Sequence, residues 1–218
     1  MRGRFSSPLF WGSHSPLSAL TAVSLIILAS NRLAFAIICA GALVWVYGLT
    51  ALIFSGARKI MPAWGKMVIL LFLSALMCGI FVIFMSLLNP MIILGAGFFL
   101  ILIPPCFLGS GLFDASGKVN PMDVFSRAVL EALLLALVII AFALIREPLG
   151  LGTLSVPGGV QGIVEIFGDP DREGFVPARI LSVSGGGLLL LGYGTALFRS
   201  FRGKSGGAPQ DGFQEEGL

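Results

Sequence analysis

MVILLFLSALMCGIFVIFMSLLNPMIILGAGFFLILIPPCFLGSGLF, residues 67–113, carries no charged side chain, and Asn89-Pro90 is its signal for a turn between two spans. A helix crossing the hydrocarbon core of a bilayer needs about 20 predominantly apolar residues. The stretch therefore reads as two successive crossings. Working outward, Leu33–Ser55, Met67–Leu88, Ser126–Arg146 and Ile180–Phe198 each reach that length. Two further segments do not. Pro16–Ala29 stops after 14 residues at Ser30-Asn31-Arg32, and Met91–Leu108 is interrupted by Pro104-Pro105, which remove two backbone donors and force a kink or an unwound turn. Six segments result.

Composition agrees. Of 218 residues 56% are apolar and 11% charged, against roughly 25% charged in a soluble domain. So few charges exclude an ordinary cytosolic enzyme, a coiled coil and a disordered chain. A net charge of +3 is too small for a nucleic-acid footprint. Arg2 and Arg4 before an apolar run imitate a signal peptide, but Leu28 is a poor −3 residue for cleavage after Ser30. With the N-terminus cytoplasmic and six crossings, ten of the fourteen Lys and Arg residues fall on the cytoplasmic side. Arg32, Arg146, Arg172 and Arg179 fall on the other. Both termini are thus expected in the cytoplasm.

Segments one and four are the short or broken ones. Paired interruptions at matching positions of two halves point to a 3+3 inverted repeat with its working site between the broken helices. The expected architecture is an all-α polytopic membrane protein. Residues 1–11 form a cytoplasmic tail, 12–198 the transmembrane domain (repeats 12–88 and 91–198), and 199–218 a disordered cytoplasmic tail.

Polar residues inside the spans are few. Glu131, four residues after Arg127, reads as a proton or sodium carboxylate or, more commonly, as half of an interfacial ion pair. Arg146-Glu147-Pro148 reads as helix punctuation, with Pro148 stopping the helix, Arg146 snorkelling and Glu147 pairing with it. Gly150-Leu151-Gly152-Thr153 is a tight turn rather than a phosphate loop, and Gly203-Lys204-Ser205 lacks the upstream glycine of a Walker motif. His14 is the chain's one histidine, so no HExxH motif or Ser-His-Asp set can be assembled. Gly185-Gly186-Gly187 offers a smooth face for helix packing. The loop Glu147–Pro177, with Glu165, Asp169, Asp171 and Glu173, is either a docking surface or simply solvated. Cys39 and Cys78 read as small apolar packing residues. Cys106 follows the Pro-Pro break directly, where an unwound turn aims it inward. It is either a thiolate ligand or a thiol packed beside a kink.

The run Leu144-Ile145-Arg146-Glu147-Pro148-Leu149-Gly150-Leu151-Gly152-Thr153-Leu154 resembles the "LIRE-x-LG-x-GTL" signature of the Rnf/Nqr membrane subunits. Arg58-Lys59-Ile60-Met61-Pro62 is similar to the basic turn after that family's second helix, and Cys106 stands where its second-half cysteine does. The resemblance spans about Gly12 to Phe198 and is nearer to the E-type subunit of Rnf, or the D-type of Nqr. It implies an integral subunit of an ion-translocating electron-transport complex in a bacterial-type inner membrane. Such a subunit is not catalytic on its own; it belongs to a translocase of the ferredoxin:NAD or NADH:quinone class. The implied partners are a homologous sister subunit, other Rnf/Nqr-like subunits and the lipid bilayer, with no nucleic acid. The implied cofactor is a [2Fe–2S] cluster shared with the sister chain, for which Cys106 is the candidate ligand here. This sequence departs from the pattern at Ser15-Pro16-Leu17, where the family has Cys-Pro-Leu, and at Gly109-Ser110-Gly111. Serine is a poor replacement for a cluster thiolate. The alternative is a redox-silent transporter or scaffold module on the same fold.

Overall fold

A computed structural model describes residues 16–57, 66–110, 121–159, 162–167 and 179–205. The described residues form seven helices and a small hairpin. The helices are α1 (Pro16–Ala29), α2 (Leu33–Ala57), α3 (Lys66–Leu88), α4 (Pro90–Leu100), α5 (Ile103–Gly109), α6 (Pro121–Gly150) and α7 (Ser184–Ser205). Strands β1 (Leu154–Pro157) and β2 (Ile163–Phe167) follow α6, and a 3₁₀ turn, Arg179–Ser182, leads into α7.

Among the described residues, four stretches are long and apolar enough to cross a membrane: Leu33–Ala57, Val68–Leu88, Pro90–Gly109 and Met122–Gly150. Their burial differs with position. The α2 span is 61% buried and the α3 span 28%, so α2 is the core helix and α3 turns an apolar face outward. Phe72, Leu76, Ile83 and Leu87 form part of that exposed face. A helix apolar all round is stable only within a protein core or in lipid.

Without a hydrophobic drive between helices in lipid, close van der Waals contact must hold them together, and small side chains permit it. The most extensive packing in the fold is α2 on α6. Ala128, Ala132 and Ala136, at four-residue spacing on one face of α6, are all buried, as are Ala36, Ala40 and Ala51 on α2.

The break in the fourth segment falls at Ile101-Leu102, between α4 and α5. An α-helical ladder would have Pro104 and Pro105 donate to Leu100 O and Ile101 O, and neither proline has a hydrogen to give. Cys78 Sγ donates instead to Leu100 O, at 3.3 Å. The ladder restarts with Cys106 N–H donating to Leu102 O at 3.2 Å. Cys78, expected only to pack, therefore also satisfies a carbonyl freed by the prolines.

Three features differ from the sequence reading. The loop after α6 is not wholly irregular: β1 and β2 pair antiparallel, with Val156 opposite Val164 and Pro157 opposite Ile163. Pro148 does not stop α6, which continues to Gly150; only the one bond that Pro148 would donate is lost. α7 runs to Ser205, past Phe198 and into the segment read as tail.

Candidate functional site

The short helix α1 ends at Ala29 and α2 begins at Leu33, so Ser30-Asn31-Arg32 is an interruption between two helix termini. Such a break exposes carbonyls on one side and N–H groups on the other, all needing partners. The end of α6 supplies them from more than a hundred residues away.

Arg146, 2% exposed, serves the carbonyl side. Its Nη1 donates to Ile27 O and to Ser30 Oγ, the latter at 3.1 Å. Its Nε donates to Leu181 O at 2.8 Å, and its Nη2 to Ser182 O at 3.2 Å and Val183 O at 3.1 Å. A guanidinium has five N–H donors, and all five are used. Arg146 thus ties the C-terminus of α1 to the turn that enters α7. A cation there also suits the negative end of the α1 macrodipole.

Glu147, 1% exposed, serves the other side. Its Oε2 accepts the Leu33 N–H at 2.6 Å, and Ser155 Oγ on β1 accepts the Ala34 N–H at 3.3 Å. The first internal bond of α2 is Ala36 N–H to Arg32 O. Leu33 and Ala34 therefore carry terminal donors of α2, capped by side chains 114 and 121 positions away in sequence. Removing the Ser155 hydroxyl with Ser155→Ala is expected to cost about 1 kcal/mol, read as a lower thermal midpoint of the purified chain in detergent.

The sequence expectation for this triplet is thereby corrected. Arg146 does not snorkel and Glu147 does not turn back to it: the two neighbours leave α6 for opposite helix ends. The glycines beside them are not a generic packing face either. A Cβ on Gly187 would sit 3.1 Å from Arg146 Cζ, and one on Gly186 would run into the backbone of Ile180 and Leu181. Gly185, by contrast, faces open space.

The hairpin closes over the same end of the bundle. Arg32 Nη1 lies 3.6 Å from Glu165 Oε1 on β2, and Asn89 Nδ2, at the α3–α4 turn, donates to Gly159 O at 3.0 Å. Of the acidic residues assigned to this loop, Glu165 is structurally employed; Asp169, Asp171 and Glu173 lie outside the described residues.

Deeper in the core, α1 packs on α5. Cys106 is buried at this crossing, with Thr21 of α1 beside its thiol. Phe107, next in sequence, meets Tyr47 of α2 edge-on, with ring centroids 4.8 Å apart. The short and the broken segments thus meet around the cysteine that the sequence singled out. Ser15, one residue before α1, lies outside the described residues, as do Arg58 to Pro62 and His14.

A [2Fe–2S] cluster needs four ligands, usually thiolates. Among the described residues no three His, Cys, Asp or Glu side chains come together as a metal site. Cys39 and Cys78 are buried on α2 and α3, and the Cys78 thiol is bound to Leu100 O. The described chain therefore fits one ligand position, Cys106. Glu131 is half-buried on α6 and does not close to ion-pair distance with Arg127; the ion pair formed among the described residues is Arg32–Glu165.

No protein-family model matches this chain, and no curated protein matches its sequence.

Beside the Pro-Pro break, α3, α4 and α5 leave an apolar groove of about 510 Å³, lined by Phe72, Ala75, Gly79, Gly97, Ile101 and Pro105 among others. Sequence reading missed it, although glycines opposite a double proline are the kind of signal that marks such a notch.

Proposed function

We propose that this chain is an integral membrane subunit of an Rnf/Nqr-like ion-translocating electron-transport complex, paired with a homologous sister subunit. It crosses a bacterial-type inner membrane six times as a 3+3 inverted repeat, with α1 and α4–α5 as the matching interrupted segments and both termini in the cytoplasm. The observation that carries the reading is the crossing of α1 and α5 at Cys106. A helix too short to span and a helix broken by prolines meet in the core, at the place where a repeat of this kind keeps its working site. The Arg146-Glu147 pair, which holds the α1–α2 break, is the centre of the motif that resembles the family. In this reading Cys106 supplies one thiolate to a cluster completed largely by the sister chain. When bound, that cluster supplies one-electron transfer within the membrane. The chain's own part is to bury the thiol, orient it from α5 and exclude water with Phe107 and Tyr47.

Ser15 supports a second reading, a redox-silent transport or scaffold module on the same fold, because a serine stands where the first-half thiolate is needed. Iron and acid-labile sulfide content with electron paramagnetic resonance decide between them, measured on the complex purified anaerobically. We expect a [2Fe–2S] signal that Cys106→Ser abolishes while the complex stays assembled. An intact complex with no iron attributable to this chain would remove the electron-transfer reading and leave the second.

A further inference from the structure

Two buried oxygens at the α1–α2 break have no hydrogen-bond partner among the described residues: Glu147 Oε1 and Asn31 Oδ1. Glu147 is 1% exposed, and its other oxygen is committed to the Leu33 N–H, two residues beyond Asn31. Neither oxygen can turn to the neighbouring guanidinium, because every donor of Arg146 is already used on α1 and on the turn into α7. Arg32, at the head of α2, is engaged by Glu165 on β2. These are the charged groups described around the break: Arg146 and Glu147 on α6, Arg32 and Glu165.

From this arrangement we propose a site for one small monovalent cation, a proton or sodium, held between Glu147 Oε1 and Asn31 Oδ1. A carboxylate and an amide carbonyl are hard oxygen donors suited to such a cation. The positive end of α2 is answered by Glu147 Oε2 and Ser155 Oγ, which leaves Oε1 free of it. The adjoining C-terminus of α1 carries negative partial charge, and helix breaks of this kind are where coupling cations bind in membrane transporters. As a proton, the cation makes Oε1 a donor toward Asn31 Oδ1 and satisfies both oxygens at once. As sodium, it is coordinated by both. A role as coupling-ion site rests on the translocating reading above; occupancy does not.

The test is thermal unfolding of the full chain in mild detergent, in sodium chloride against choline chloride at equal ionic strength, and across pH without sodium. Sodium at ~100 times its dissociation constant should raise the midpoint by about 5–10 °C. A proton site instead gives a midpoint that is higher in acidic than in alkaline buffer, with no sodium effect. Glu147→Gln should abolish either dependence, while its amide oxygen can still accept from the Leu33 N–H. Asn31→Ala leaves the cap intact and should shift half-saturation to higher sodium. Wild-type protein indifferent to both sodium and pH overturns the proposal, as does a dependence that survives in Glu147→Gln. Iron measured on the same preparations separates the two readings. Cation dependence without iron keeps this site and removes electron transfer; iron without cation dependence does the reverse.

Discussion

Arg146→Met is expected to prevent recovery of folded protein. The substitution keeps an unbranched apolar chain but removes the donors for Ile27 O, Ser30 Oγ, Leu181 O, Ser182 O and Val183 O. A single unsatisfied buried group costs about 1–3 kcal/mol, and here four carbonyls and one hydroxyl lose their donor together. Relaxation and entering water reduce the sum, so a loss on the order of 4–5 kcal/mol is the expected scale. That is comparable with the whole stability of a small domain. Arg146→Lys keeps the charge but only three donors, and should lie between the two. Monodispersity in mild detergent and the thermal midpoint, measured for all three proteins, check the order. Wild-type behaviour of Arg146→Met would show that the clamp contributes little.

The second large effect is expected from the smallest substitution. In Gly186→Ala the new methyl would overlap the Ile180 carbonyl oxygen and come within 2.6 Å of Leu181 Cα. Both obstacles are backbone of the 3₁₀ turn, which Arg146 holds in place, so no side chain can swing aside. Overpacking against fixed structure costs about 1–3 kcal/mol, occasionally more, and here the top of that range is expected because relief would also pull Leu181 O off the guanidinium. Gly79→Ala and Gly97→Ala are the controls. A Cβ at either position meets nothing within 4 Å, so the gain in helix propensity, up to about 1 kcal/mol, should leave them neutral or slightly stabilised. Unfolding midpoints for the three variants should therefore split by sign.

Three of the four membrane-length stretches, in α2, α3 and α6, were legible because each rests on a composition rule that needs no tertiary information. Pro90–Gly109 was read as too interrupted to count as full length, and Ile180–Phe198, read as full length, is not among the four. The end of α1 at Ala29 and a break near Pro104-Pro105 were legible too. The hairpin was partly legible: Val156-Pro157-Gly158-Gly159 followed by alternating Ile163-Val164-Glu165-Ile166 carries strand and turn signals, but acidic residues beside it favoured a solvated loop. Arg146 and Glu147 were found as residues and misread as an arrangement. Their spacing suggests local contacts along α6, whereas their partners lie 114 to 119 residues away at the α1–α2 break and 35 to 37 residues away at the entry to α7. Short-range rules have no access to such distances. Gly186 and Gly187 went the same way: glycine on a helix signals close approach, but not what approaches. Cys78 was read correctly as packing, and its bond to Leu100 O is invisible until α3 lies beside the kink.

The long reach of the α2 cap also sets a schedule for biogenesis. Leu33 and Ala34 leave the ribosome long before the residues that cap them, and at about 5–20 residues per second a gap of this size takes on the order of ten seconds to translate. Through that interval the joint between the first two helices stays open, and Arg146 and Glu147 complete it only once the end of α6 has been made. The nascent chain thus carries its own completeness check. A polypeptide truncated anywhere before Arg146 lacks the groups that bind Ile27 O and the Leu33 N–H, and so leaves this joint uncapped.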